Sequence, residues 1–207
     1  MSNSTTERPL EGIRVLDVAT FIAAPYTAAI MGEFGAEVIK VESPKGGDPF
    51  RRFGTATDVY DCSLMWLSEA RNKKSIAIDL KQPAGAQLLK DLVATCDVMC
   101  ENFRPGTLEK WGIGYEAVLK HRFPQLVHCR ISGFGEAGPL GGSPGYDAVV
   151  QAMTGMMSIN GMAESGSVRL GAPIVDMGTG LYCVIGILMA LHERQNSGLG
   201  QYIDMTL

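Results

Sequence analysis

Ile13-Arg-Val-Leu-Asp-Val18, the stretch from Ala24 to Phe34, Gly35, and Glu37-Val-Ile-Lys-Val41 together decide the fold. The first run is short and rich in β-branched residues, and it reads as a strand. Small and apolar residues at helical spacing follow. Gly35 is placed to stop that helix, and residues 37–41 read as the next strand. A strand–helix–strand unit of about 30 residues implies a right-handed crossover between parallel strands.

Outward from this unit the alternation repeats. Ser75-Ile-Ala-Ile-Asp79 reads as a strand, Ala84 to Thr95 as a helix, and Asp97-Val-Met-Cys-Glu101 as a strand. Tyr115 to His121 is helical in pattern and leads to strand Leu126-Val-His-Cys-Arg-Ile131. The expected fold is therefore α/β, a doubly wound and mostly parallel sheet of Rossmann-like type. Residues 42–74 carry Pro44, Gly46, Gly47, Pro49 and Gly54 with little periodicity, and a loop that long inside a domain is usually functional. After a glycine-rich bend over 133–145, a helix is expected from Tyr146 to Met157 and a loop to Val175. Asp176 then precedes a strongly apolar helix ending near Arg194, and Gln201 to Leu207 reads as a strand.

Composition narrows the function classes. The 207 residues are 46% hydrophobic and 19% charged, which suits one domain, or two small ones, with a sizeable core and excludes disorder. Eighteen basic residues against 22 acidic ones give a net charge of -4, which argues against an electrostatic nucleic-acid partner. Five cysteines (Cys62, Cys96, Cys100, Cys129 and Cys183) form no C-x-x-C and read as thiols of a reducing compartment. The polar start of the chain has no apolar signal region, and the apolar run from Gly180 to Leu191 is shorter than the roughly 20 residues of a membrane span. The expectation is a cytoplasmic protein with no membrane partner.

Gly133-Phe-Gly-Glu-Ala-Gly138 matches G-x-G-x-x-G after a strand, but a dinucleotide site needs a helix to open there. Pro139, Gly141, Gly142 and Pro144 forbid one, so no nicotinamide or flavin cofactor is expected. His121, His128 and His192 have no metal-ligand spacing, no Gly-x-Ser-x-Gly elbow is present, and neither a metal site nor a hydrolase triad is supported. Arg51, Arg52, Arg71, Lys73, Lys74 and Arg104 cluster around the mid-chain loops; isolated basic pairs are usually solvated surface, but several of these fall where a doubly wound sheet places a phosphate-bearing ligand. Asp176, in Gly171-Ala-Pro-Ile-Val-Asp-Met-Gly-Thr-Gly180, fits two readings. It is placed to be a plain helix N-cap. Alternatively, the glycines leave its carboxylate uncovered as a nucleophile toward an activated carbonyl, with the helix N-terminus stabilising the developing anion.

As a set, these residues are recognisable. Pro9-Leu-Glu-Gly-Ile-Arg-Val-Leu-Asp17, Ala23-Ala-Pro25, Gly32-Glu-Phe-Gly-Ala-Glu-Val-Ile-Lys-Val-Glu42 and Gly47-Asp-Pro49 resemble the class III coenzyme A transferases. So do Arg71-Asn-Lys-Lys-Ser75, Asp97-Val-Met-Cys-Glu-Asn-Phe-Arg-Pro-Gly106, Ile131-Ser-Gly-Phe-Gly135 and Pro144-Gly-Tyr-Asp147. The family is the CaiB/BaiF type, which includes formyl-CoA and crotonobetainyl-CoA:carnitine transferases.

The resemblance implies that Asp176 is the acyl-carrying nucleophile, with acyl-CoA and a carboxylic acid as substrates and no permanently bound cofactor. It implies a CoA site drawn from Ile22, Ala23, Asn72, Lys73, Lys74, Asn102, Phe103 and Lys110. Family members are about twice this length and form interlocked homodimers. The chain then divides into a disordered tail over residues 1–8 and, over 9–207, the N-terminal part of the large domain, cut before a second domain. Two alternatives stand beside this one. An α-methylacyl-CoA racemase of the same fold would pair Asp176 with a histidine, where this sequence has Tyr146, and a phenol is a poor base near neutral pH. The other is a non-catalytic CoA-binding fragment.

Overall fold

The computed structural model describes residues 8–59 and 62–207, so the expected tail over 1–7 lies outside the described residues, while the Arg8 N–H donates to Glu11. Six parallel strands form the main sheet: β1 Arg14–Asp17, β2 Glu37–Glu42, β3 Lys73–Ala77, β4 Val98–Glu101, β5 Val127–Ser132 and β8 Tyr202–Thr206. Their order is β3-β2-β1-β4-β5-β8, with β1 paired on one side to β2 and on the other to β4. The chain winds outward in one direction from β1 and then in the other from β4. That is the doubly wound topology, and its reversal point opens between the ends of β1 and β4.

Both faces are covered, so the central strands are buried on both sides, and the charged residues they carry, such as Asp17 and Lys40, are buried too. Successive side chains of β1 go to opposite cores: Val15 joins Ala28, Met31, Val127, Cys183 and Ile187, and Leu16 joins Leu89, Met99, Ile113 and Leu119. The first core lies under α1 (Ala23–Glu33) and α7 (Ile174–Ser197), the second under α3 (Pro83–Val93) and α4 (Thr107–Lys110). Helices α1 and α7 cross closely because Gly180 has no side chain. A Cβ there would stand 2.9 Å from the Ala23 carbonyl oxygen.

Several local expectations are corrected. Residues 42–74 are not a bare loop: a 3₁₀ turn spans Pro49–Arg52 and α2 spans Leu64–Glu69. Their start signals are Asp48, whose side chain accepts from the Phe50 N–H (2.9 Å), and Ser63, which accepts from the Trp66 N–H (3.1 Å). Strand β3 begins at Lys73, two residues before Ser75, because it pairs with β2 from Val38 onward. The helical stretch after Gly114 is a π turn, Tyr115–Leu119, running into α5 (Lys120–Arg122). Helix α6 covers only Asp147–Met153; a 3₁₀ turn (Met156–Ile159) and a small hairpin, β6 (Gly161–Met162) with β7 (Gly166–Ser167), lead to α7.

The length of α7 is the largest correction. It runs 24 residues, three beyond the expected span at either end, and is long and apolar enough to cross a membrane by length and composition. Here one side of it is buried through Cys183, Ile187, Ala190 and Leu191 against the sheet and α1.

Candidate active site

The turn between β1 and α1 is held from below by buried charges. Lys40, on β2 and 1% exposed, reaches the Ala19 carbonyl, lies 3.0 Å from Asp48 Oδ2 and 3.5 Å from Asp17 Oδ1. Lys73 Nζ donates to Asp17 Oδ2 at 2.8 Å and to the Pro25 carbonyl at 2.6 Å. Burial pushes the Asp17 carboxyl upward, but Lys40 and Lys73 outweigh it and hold the group below the ordinary carboxylate range. The same turn is fixed above by side chains. Asn102 accepts from the Thr20 N–H (2.8 Å) and donates to the Thr20 carbonyl (2.6 Å), and Asp48 Oδ1 accepts from the Phe21 N–H (3.1 Å). Phe21 sits at φ +61°, a conformation a non-glycine residue keeps only when its surroundings impose it.

Asp176 approaches this turn from the other side. It lies in the first turn of α7 and is not the N-cap, since the helix begins at Ile174 after Pro173. The capping is done from a distance by Asp147 at the start of α6. Its Oδ1 accepts from the N–H groups of Val175 (2.8 Å) and Asp176 (3.3 Å), while Oδ2 accepts from Gln151 Nε2 (2.5 Å). The Ile174 N–H is also taken, by the Ala172 carbonyl. The first N–H groups of α7 are thus occupied and do not serve as donors to an anion beside Asp176, contrary to the reading from sequence. Burial pushes the half-buried Asp176 carboxyl up to about 7, and the Asp147 carboxylate adds to the shift.

The glycine-rich bend explains how Asp147 reaches this place. No helix opens at Gly133-Phe-Gly-Glu-Ala-Gly138; the bend folds back so that Gly145 lies on Gly133. A Cβ on Gly133 would meet the Gly145 nitrogen at 2.3 Å. Backbone-on-backbone packing therefore returns Tyr146 and Asp147 to the end of β5, beside α7.

Two cavities meet at Asp176. One, of about 280 Å³, is lined by Ile22, Ala23, Asn102, Phe103 and Arg104. The other, of about 380 Å³ and more apolar, has Phe53, Met65, Pro173 and Arg169 in its wall. Phe21, Ile22, Tyr146 and Asp176 belong to both. At the first, α1 starts without a side-chain cap, and the N–H groups of Ile22, Ala23 and Ala24 have no partner among the described residues.

The structure thus brings together Ile22, Ala23, Asn102, Phe103 and Asp176, which were singled out from sequence. It does not bring Asn72, Lys73, Lys74 or Lys110 to the same cavity. Lys73 is spent on Asp17, Lys74 pairs with Glu37 at the opening end of β2, Asn72 lies just before β3 at φ +63°, and Lys110 is exposed on α4. The basic loop residues likewise do not gather. Arg51 holds Glu42 with two bonds of 2.7 Å and lies over the Trp66 ring, Arg71 pairs with Glu33, and Arg52 donates to the Gly46 carbonyl. Arg104 alone of that set lines the cavity at Asp176. Asp147, Asp48, Lys40 and Arg169 were missed as contributors. Asp48 alone carried a local signal, an acid directly before proline at the start of a helical turn.

A half-buried carboxylate lines two cavities at the reversal point of a doubly wound sheet, where such α/β domains bind ligands. The chain's lineage is plain from comparison. The model of CoA-transferase family III matches residues 10–207, and the chain belongs to that family. It is 50% identical to the succinyl-CoA–L-malate CoA-transferase beta subunit of Chloroflexus aurantiacus, over 100% of this chain and 51% of the relative. It is 42% identical to the succinyl-CoA:glutarate CoA-transferase of Mus musculus, over 100% of this chain and 47% of the relative. The crystal structure of a CaiB/BaiF family protein from Brucella suis superposes with a TM-score of 0.91 at 39% identity, covering 97% of this chain and 53% of the other. The chain spans about half the length of the curated relatives it matches.

Proposed function

We propose that the full-length protein transfers CoA between an acyl-CoA thioester and a free carboxylic acid, with Asp176 as the covalent nucleophile. The observation that carries this reading is that Asp176 lines two cavities at once, which we assign to the CoA thiol end and to the acyl group. The named relatives pair succinyl-CoA with malate or glutarate, and short dicarboxylic acids are our first choice of substrates here too.

In the proposed cycle an Asp176 oxygen attacks the thioester carbonyl. The C–S bond breaks, CoA leaves as thiolate, and a mixed anhydride remains on Asp176. The thiolate then attacks the aspartyl carbonyl of the anhydride, giving an aspartyl thioester and releasing the donor carboxylate. An acceptor carboxylate attacks that thioester and expels the thiolate, which attacks the acceptor's carbonyl in the second anhydride and frees Asp176. Every step exchanges one activated acyl bond for another, so positioning and oxyanion stabilisation carry the catalysis. The uncapped N-terminus of α1, with the unpartnered N–H groups of Ile22 and Ala23, supports this cavity as the place where negative charge is received.

The assembly and setting belong to the same proposal. Leu181, Tyr182, Ile185, Leu188 and Met189 form an exposed apolar face on α7, and an interlocked homodimer would cover it. All five cysteines are unpaired, which supports a cytoplasmic setting. The test is to mix full-length protein with succinyl-CoA, trap with hydroxylamine and map the modified peptide. A hydroxamate on Asp176, absent in Asp176→Asn, is expected. Modification only elsewhere overturns the assignment.

A further inference from the structure

The apolar cavity at Asp176 has in its wall a guanidinium with no ion-pair or hydrogen-bond partner among the described residues. Arg169 lies in the strand-to-helix segment before α7, is exposed, and makes no ion pair or hydrogen bond among the described residues, although Asp147 and Asp176 line the same cavity. No ion pair joins it to Asp176, whose carboxyl is raised by burial and by Asp147. Arg169 is therefore not the partner of the nucleophile. Besides Arg169, Asp147 and Asp176 the wall is mainly apolar, with Phe21, Ile22, Phe53, Met65 and Pro173, a surface suited to methylene groups. A ligand that satisfies the whole cavity has an activated carbonyl at Asp176, a short apolar chain, and an anion at the far end. Guanidinium matches a carboxylate as a planar two-pronged donor.

We propose that Arg169 is the receptor for the distal carboxylate of a dicarboxylic acyl group whose other carboxyl is exchanged at Asp176. This rests on the transferase reading above and adds the residue that selects the substrate class. The neighbouring cavity has its own arginine, Arg104, which likewise makes no ion pair among the described residues.

The test uses the full-length protein with Arg169→Met and Arg169→Lys, comparing kcat/KM for succinyl-CoA with that for butyryl-CoA, which has the same chain length and no distal charge. A charge-assisted hydrogen bond lost from a desolvated ligand corresponds to a change of about 10- to 100-fold. Arg169→Met is expected to lower succinyl-CoA turnover by that factor while butyryl-CoA turnover holds, with Arg169→Lys between wild type and Met. Free succinate should inhibit the wild type more strongly than the Met variant. Transfer by wild type with a succinyl-to-butyryl ratio unchanged in Arg169→Met overturns this proposal alone. No CoA transfer by wild type with either thioester overturns both this and the reading on which it rests.

Discussion

Asp147 Oδ1 accepts the backbone N–H of Asp176 at 3.3 Å, so one carboxylate caps the helix turn that carries another. The arrangement fixes the position of Asp176 and raises the cost of ionising it at the same time. Removing the charge while keeping the shape separates these effects. In Asp147→Asn the amide oxygen can still accept, and the Asp176 carboxyl is expected to titrate lower than about 7, read from the pH dependence of transfer. In Asp147→Ala the cap is lost as well, and stability should fall by about 1 kcal/mol in denaturant unfolding. Equal pH profiles for wild type and Asp147→Asn would remove Asp147 from the electrostatics of the site.

The pH dependence of Asp176 has a definite sign in both activity and stability. Only the ionised carboxylate attacks a thioester, so transfer should rise as pH passes through about 7 and level above it. Between its ordinary value of 3.8 and about 7, the folded state holds a proton that the unfolded state has lost. The contribution to stability is complete below pH 3.8 and is lost as pH rises through about 7. Asp176→Asn should therefore melt above wild type at pH 8, with the gap closing by pH 4. A gap that widens toward acid pH contradicts the assignment.

Lys40 lies between Asp17 and Asp48 with almost no solvent contact. Replacing it with methionine keeps the bulk, leaves Asp48 without a cation in the interior and leaves Asp17 to Lys73 alone. The expected loss is about 3–5 kcal/mol, measured by urea unfolding, because breaking a buried ion pair leaves an uncompensated charge. Asp48 also holds the Phe21 N–H, so weaker CoA binding should accompany the loss at temperatures where the variant is folded. A change below about 1 kcal/mol would show that the cluster is solvated.

The exposed face of α7 should be an interface in the full-length protein. Tyr182 and Met189 are 68% and 67% exposed, on the side of α7 away from its buried residues. Tyr182→Glu together with Met189→Lys puts charge into that face without touching the core. Sedimentation should show a shift from dimer to monomer; a double variant that stays dimeric places the interface elsewhere.

The strand–helix alternation was legible because it is a local property. Val15, Leu16, Val38 and Val41 have the composition of strands buried on both faces, and Gly35, at φ +104°, ends α1 at the expected place. Helix ends were less legible, since α7 starts before Asp176 on an acceptor supplied by Asp147, 29 residues away in the chain. Asp48 and Ser63 did signal the two short helices in residues 42–74, but the lack of periodicity there masked them.

The sequence by itself determined the alternation of the main strands and helices and the family. These depend on residue type and short spacing, which survive without a three-dimensional frame. Tertiary structure alone decided which cations are free. Lys73 and Arg51 look like ligand-binding residues in the sequence and are consumed by Asp17 and Glu42, whereas Arg104 and Arg169 remain open at the two cavities. Charge pairing acts across space over a few ångströms and joins residues far apart in the chain, such as Asp17 and Lys73, 56 positions apart. No pattern along the chain contains that distance.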